Sequence, residues 1–460
     1  MSICRQRRRR RAGTILMSVW AIGGAHPPKR SNSGAVIRSR MSSRRLSAPP
    51  ERISLLQGGQ PIHRWDLDEH LDLPEVESAH SVAEEAMMKR ATLIVTLALF
   101  PIAAGVWAQG EEKPFFETGA VREAASPRER HAYPVIARTA GGQLLTVWTM
   151  MDVGGRDGRI VGSFSRDGGR TWGEPVTLID IPGKMDADPN ILIDGRRILV
   201  FSTTVENPNR IEKSEIWMTV SEDEGKTWSP PIRIPLPFRY VVGKRHLGLK
   251  LRDGTLVMPF SWDLWAEAGT PARTEGEMDL KSGVLFSRDG GATWTPSGEL
   301  HIFERKVHPG AIWGVVEPAI VELANGELYM LLRTGTEWLY EARSPDGGRT
   351  WTPPVRSPLV GHNSPAALWR LDQNPQEIIV IWNNSPRHRY PLTVAISADG
   401  GRSWSRPKVV ATSDGPQVSY PGITQAPDGT FVAVWQQQRP DGGRDIRWAR
   451  FNRAWVLADP

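Results

Sequence analysis

The sequence predicts an all-β chain folded as a six-bladed β-propeller, and two repeats carry that prediction. A Ser-x-Asp-x-Gly-x-Thr/Ser-Trp motif occurs five times, and a turn followed by an apolar or alternating strand occurs six times. Self-similarity on this scale marks a repeat architecture. The chain also holds 19 tryptophans, large half-polar side chains that need a supply of semi-buried slots.

A segment of different character precedes the repeats. The 460 residues carry a formal charge of +6, but the basic excess sits in residues 1–86, which include an arginine run from Arg7 to Arg11. The remainder is close to neutral, which argues against nucleic acid as a partner. Residues 1–86 have no sustained apolar period and read either as a disordered tail or as an extension upstream of a true start at Met87 or Met88. Met88-Lys89-Arg90 then leads into the apolar run Ala91–Phe100 and small residues ending at Ala108. That is the layout of a secretory signal peptide over 87–108, so the mature chain is expected to be secreted or periplasmic. Pro101 and Gly105 interrupt the run, so no stable membrane anchor is expected after cleavage. Cys4 is the only cysteine; the rest of the chain can form neither a disulfide nor a Cys-based metal site, and no metal or cofactor is expected.

The propeller is expected over residues 115–460. The five motifs are Ser165–Trp172, Ser221–Trp228, Ser287–Trp294, Ser344–Trp351 and Ser397–Trp404. Each Asp is expected to accept hydrogen bonds from turn amides, each Gly to take a left-handed backbone angle, and each Trp to pack between sheets. Five identical aspartates cannot all line one site, so the motif reads as structural. The turn-plus-strand units are Gly141–Trp148, Asp194–Phe201, Asp253–Phe260, Asn325–Leu332, Ile378–Trp382 and Asp428–Trp435. Their Asp-Gly and Asn-Gly pairs suit tight hairpins. The sixth unit lacks the motif and ends in Ile446–Phe451, so an N-terminal strand is expected to complete it and hide the sheet edges.

Polar residues ahead of the later units carry the functional signal. Glu317-Pro-Ala-Ile-Val-Glu322-Leu precedes the fourth turn and Arg333 ends the strand after it; Arg389-Tyr-Pro-Leu-Thr-Val lies in the fifth unit and Ser419-Tyr420-Pro421 in the sixth. With the repeated motif, an Asp box, this set resembles the sialidase superfamily over nearly all of the mature chain. The resemblance implies a tyrosine nucleophile at Tyr420, Glu317 as the base that draws off its proton, and Arg333 and Arg389 in an arginine cluster that grips a substrate carboxylate. The chemistry is coherent. A carboxylate nucleophile would be repelled by an anionic sugar, a neutral phenol is not, and a phenol needs an adjacent base to attack. Guanidinium suits a carboxylate because it donates two parallel hydrogen bonds. Glu322 reads as a strand or turn residue.

Two departures from the family pattern stand out. Ala132-Tyr133-Pro134 replaces the family's Arg-Ile-Pro, leaving Arg130 or His131 as the nearest substitutes for a third arginine. The acid/base aspartate falls on Asp152 or Asp157, with Asp152 favoured by position; it requires a carboxyl group whose pKa is raised by partial burial. Asp186, Asp188, His246 and Asn363 are further candidates for lining a sugar pocket, Asp186 and Asp188 being too few carboxylates for a calcium site. The expected function is exo-acting hydrolysis of a terminal sialic acid or related acidic sugar from a glycan, retaining through Tyr420. The alternative is a non-catalytic propeller binding glycan or protein. A pure scaffold has no need of Glu317, Arg333, Arg389 and Tyr420 in register, and that separates the two.

Overall fold

The computed structural model describes residues 112–151, 157–206, 214–237, 241–242, 246–263, 279–307, 310–413 and 415–459. The expected N-terminal extension (1–86), the expected signal peptide (87–108) and Asp152 lie outside the described residues. The protein is all-β. Residues 104–460 cluster as one unit, and one short helix, α1 (Arg453–Leu457), occurs among the described residues.

The strands pair as antiparallel meanders of four. After β1 (Phe116–Arg122), which belongs to the last group, the first comprises β2 (Arg130–Arg138), β3 (Leu144–Met151), β4 (Gly158–Ser165) and β5 (Val176–Ile179), pairing in order. Next come β6 (Met185–Asp194), β7 (Arg197–Val205), β8 (Ser214–Ser221) and β9 (Ile232–Ile234). In the third group β10 (Val241–Val242) and β11 (Leu249–Lys250) both pair with β12 (Leu256–Asp263), followed by β13 (Asp279–Ser287) and β14 (Thr295–Leu300). The fourth holds β15 (Trp313–Glu322), β16 (Leu328–Thr334), β17 (Trp338–Ser344) and β18 (Val355–Val360). The fifth holds β19 (Ala367–Arg370), β20 (Ile378–Asn383), β21 (Leu392–Ser397) and β22 (Lys408–Ala411). The last runs β23 (Val418–Gln425), β24 (Phe431–Gln438) and β25 (Arg444–Phe451). Its fourth strand is β1, which pairs antiparallel with β25 so that Phe116 faces Phe451. Asn452 reinforces the join: its side chain accepts from the Phe115 amide and donates to the Lys113 carbonyl.

Apolar side chains of neighbouring meanders interlock. Leu199 and Phe201 pack with Met258 and Phe260, Tyr329 and Leu331 with Val380 and Trp382, and Ile379 and Ile381 with Phe431 and Trp435. Ile136 and Leu144 of the first group pack with Val432 and Val434 of the last. Each such buried aliphatic side chain contributes about 1.5–3 kcal/mol, so the stabilisation is spread over many equivalent interfaces.

The Asp-box turns repeat one hydrogen-bond pattern. Asp223 accepts from the Lys226 and Thr227 amides and, at 2.7 Å, from the Thr227 hydroxyl; the Thr227 amide and hydroxyl pull its pKa down to about 2. Trp228 donates to the Gly225 carbonyl. Gly225 has φ +85°, and a Cβ there would lie 2.2 Å from the Phe164 ring of the preceding group. Arginines bridge groups in the same sense: Arg197 donates to the Gly290 carbonyl, Arg343 to Gly400 and Arg450 to Gly168. The last of these links the final meander to the first.

Candidate active site

One backbone device recurs in the first strand of four meanders. Tyr133, Asp188, Glu317 and Tyr420 each precede a proline and each have positive φ, between +51° and +59°. At each, the strand register shifts: between Ala132 and Val135, Ala187 and Asn190, Val316 and Ala319, and Ser419 and Gly422. Asn363, ahead of β19, is a fifth residue with positive φ, at +40°. Proline disfavours helical geometry in the residue before it, and a non-glycine residue held at positive φ costs about 1–2 kcal/mol. Such strain persists only where the surroundings over-determine it, and it clusters at functional sites.

Four of these side chains belong to one network that runs from the buried Glu317–Arg333 pair to the half-buried Arg389 and Tyr133. Glu317 Oε1 lies 3.0 Å from an Arg333 guanidinium nitrogen, with both side chains almost wholly buried, and the Glu317 amide donates to Ser261 Oγ at 3.1 Å. Arg333 Nε donates to Asn363 Oδ1 at 3.0 Å. Arg389 donates to the Asn363 carbonyl at 2.7 Å and to the Tyr420 hydroxyl at 2.6 Å. The Tyr420 ring meets the Tyr133 ring edge-on, with centroids 5.0 Å apart and planes at 90°. The first, fourth, fifth and sixth meanders thus bring two guanidinium groups, a carboxylate and two phenols into one chain of contacts, with Arg389 and Asn363 supplied from outside the strands. Breaking a buried pair such as Glu317–Arg333 from one side costs about 3–5 kcal/mol.

Glu317, Arg333, Asn363, Arg389 and Tyr420, singled out in the sequence, are therefore brought together. Asp188 occupies the equivalent bulge of β6 and is buried. Other candidates stand elsewhere. Arg130 is exposed at the start of β2, opposite Met151. His131 is fully buried, with Nε2 2.9 Å from Glu129 while Trp148 donates to its Nδ1 at 3.1 Å; burial lowers its pKa. His246 accepts from the Leu368 amide at 2.8 Å, and burial drives its pKa down to about 4. It lines a separate cavity of about 380 Å³ with Arg138, Glu322 and Asp372. Arg138 and Glu322 come five residues after Tyr133 and Glu317 on the same strands, a displacement of roughly 16 Å along a β-strand. Asp157 is exposed and accepts from the Gly158 amide.

Asp186 differs from the Asp-box carboxylates in being held up. Burial raises its pKa to about 6 although Thr204 and the Ile181 amide donate to it. Sequence reading overlooked Tyr133 and Gln436 as site residues; Gln436 is fully buried and accepts from the Tyr133 amide at 3.1 Å. The recurring Xaa-Pro of the first strands is the signal that finds Tyr133. Among the described residues no group of three or more His, Asp or Glu side chains is placed to hold a metal ion.

Comparison with known proteins gives this geometry a context. The model of the BNR repeat-like domain matches residues 142–433. The chain is 24% identical to a sialidase of Bacteroides fragilis over 312 residues, 60% of this chain and 53% of the relative. It is 25% identical to a sialidase of Micromonospora viridifaciens over 362 residues, 70% of this chain and 51% of the relative. It thus spans about half the length of these two relatives. Among solved structures, a Hadza microbial sialidase superposes with a TM-score of 0.59 at 19% identity, over 74% of this chain and 69% of the other. A leech intramolecular trans-sialidase gives 0.57 at 16%, over 76% and 72%. Since the matched model spans most of the repeat region and named sialidases recur among the relatives, the chain belongs to the BNR repeat-like domain family of the sialidase superfamily.

Proposed function

We propose that the protein is an exo-acting glycoside hydrolase of the sialidase type, a closed six-bladed β-propeller that removes a terminal sialic acid or related acidic sugar from glycans with retention of configuration. The observation that carries this reading is the hydrogen-bonded chain Glu317–Arg333–Asn363–Arg389–Tyr420, drawn from three meanders. Six blades and a closed ring are supported by the addition of β1 to the last meander and by the apolar cluster joining the first meander to the last. Secretion through the 87–108 segment belongs to the same proposal.

In the first step the Tyr420 oxygen attacks the anomeric carbon as the bond to the leaving oxygen breaks. Glu317 takes the phenolic proton, and a carboxylic acid, Asp152 or Asp157, protonates the departing alcohol. In the second step that carboxylate removes a proton from water, the water oxygen attacks the anomeric carbon, and Tyr420 leaves and regains its proton. Two inversions give retention. Arg389, which already donates to Tyr420 Oη, and Arg333 hold the substrate carboxylate through charge-assisted hydrogen bonds.

Release of a fluorogenic aglycone from a sialoside, beside a panel of uronic and neutral glycosides, tests the proposal. Turnover of the sialoside supports it, and turnover of another glycoside alone reassigns the sugar. Silence across the panel, with the Tyr420→Phe variant still binding the sugars, favours a glycan-binding propeller.

A further inference from the structure

We infer that Tyr133 is a positioning and specificity residue of this site: its ring braces the Tyr420 phenol edge-on, and its lack of charge leaves Arg389 as the arm of the anion clamp that is not matched to a carboxylate. The inference rests on the glycosidase reading above and names a determinant of its substrate preference.

Four observations carry it. Tyr133 and Tyr420 occupy the same kind of left-handed bulge on β2 and β23, and their rings stand perpendicular at 5.0 Å, an arrangement in which the positive edge of one ring meets the negative face of the other. The two bulges are also tied through Gln436, which accepts from the Tyr133 amide at 3.1 Å and lies 3.5 Å from Ser419 Oγ, beside Tyr420. The hydroxyl end of Tyr420 is held by Arg389 at 2.6 Å, and the Arg389 guanidinium also lies over the ring at 5.0 Å, so Tyr133 supplies a further point of contact on the ring. Lastly, Glu317 is paired with Arg333, whereas the hydrogen bonds of Arg389 among the described residues go to the Asn363 carbonyl and the Tyr420 hydroxyl, both uncharged groups.

The physical consequence has two parts. A nucleophile must sit about 3–3.5 Å from the carbon it attacks, and a displacement of 1 Å costs about 10²-fold in rate; loosening the brace therefore lowers the chemical step more than binding. A phenol contributes ring surface and a hydrogen-bonding hydroxyl but no cation, so this wall admits a sugar face without adding to the grip on a carboxylate. A guanidinium in its place would add a bidentate donor to that grip.

The test uses the full-length protein and four substitutions. Y133A and Y133L should lower kcat on a 4-methylumbelliferyl sialoside by about 10–100-fold with KM moved less than about threefold, and Y133F should recover most of the lost kcat because the ring is retained. Y133R should tighten binding of 2,3-didehydro sialic acid about tenfold by calorimetry, with binding of a neutral glycoside unmoved. Unchanged kcat in Y133A and Y133L, or Y133R with no gain in affinity, overturns the inference. If the wild-type protein turns over no sialoside, the glycosidase reading fails on its own. The brace is then read from the NMR resonances of the Tyr420 ring, which lose their ring-current shift in Y133L if the inference holds and keep it if it does not.

Discussion

The Asp-box turns and the first-strand bulges are both repeated devices, yet they repeat different things. The turns repeat residues: in each box the Asp accepts from the Thr or Ser that follows it, with the same Oδ2 contact at Thr171, Thr227, Thr293, Thr350 and Ser403. The bulges repeat a conformation and vary the residue, from Tyr133 and Asp188 to Glu317 and Tyr420. Identity preserved at every repeat marks a contribution to each sheet separately. A shared backbone geometry filled with unlike polar groups marks a place where different sheets supply different parts of one site.

Substitutions that treat the two devices alike would break this contrast. The largest effect is expected at Tyr420→Phe, which should reduce kcat on a sialoside by at least about 10³-fold, on the order of 4 kcal/mol of transition-state stabilisation, while thermal unfolding stays close to wild type; full turnover would remove the bulges from the chemistry. Next comes Glu317→Ala, which leaves Arg333 buried without its carboxylate; it should cost about 3–5 kcal/mol of stability in urea titration as well as turnover.

Asp186 tests the buried carboxylate that follows neither pattern. Its pKa is 3.8 when unperturbed and about 6 in the fold, so the ionised form is disfavoured by folding. Its protonated form contributes stability that is fully present below about pH 4 and lost as pH rises through about 6, a swing on the order of 2–3 kcal/mol. Asp186→Asn should therefore gain stability relative to wild type between pH 4 and pH 7, and parallel melting curves of the two proteins at both pH values would remove the assigned burial effect. The smallest effect is expected at a single box. Asp346→Ala should lower Tm by about 1–3 °C and leave sialoside turnover unchanged, since its contacts stay within its own turn.

The boxes and turn-plus-strand units were legible in the sequence because their physics is local: a few residues determine each turn, and alternation determines each strand face. Glu317, Arg333, Asn363, Arg389 and Tyr420 were legible through their register with those units and through family resemblance. The first meander was not. An alternating strand places residues 131, 133 and 135 on one face, and charge drew attention to Arg130 and His131. The left-handed turn at Tyr133 breaks that alternation. His131 is consumed by Glu129 and Trp148, while the uncharged Tyr133 meets the network. His246 lines a cavity with Arg138 and Glu322, toward the other end of the strands that carry Tyr133 and Glu317.

The pairing of β1 with β25 bears on how the protein is made. Phe116 is synthesised well before its partner Phe451, so a growing chain must carry β1 with an open hydrogen-bonding edge while all the strands between them are made. Loop-closure entropy for so distant a pair is met only when every intervening sheet has formed. Pairing of β1 should therefore follow formation of the sheets between the two strands, and a ribosome paused before β25 would display a sheet edge that any passing strand could invade.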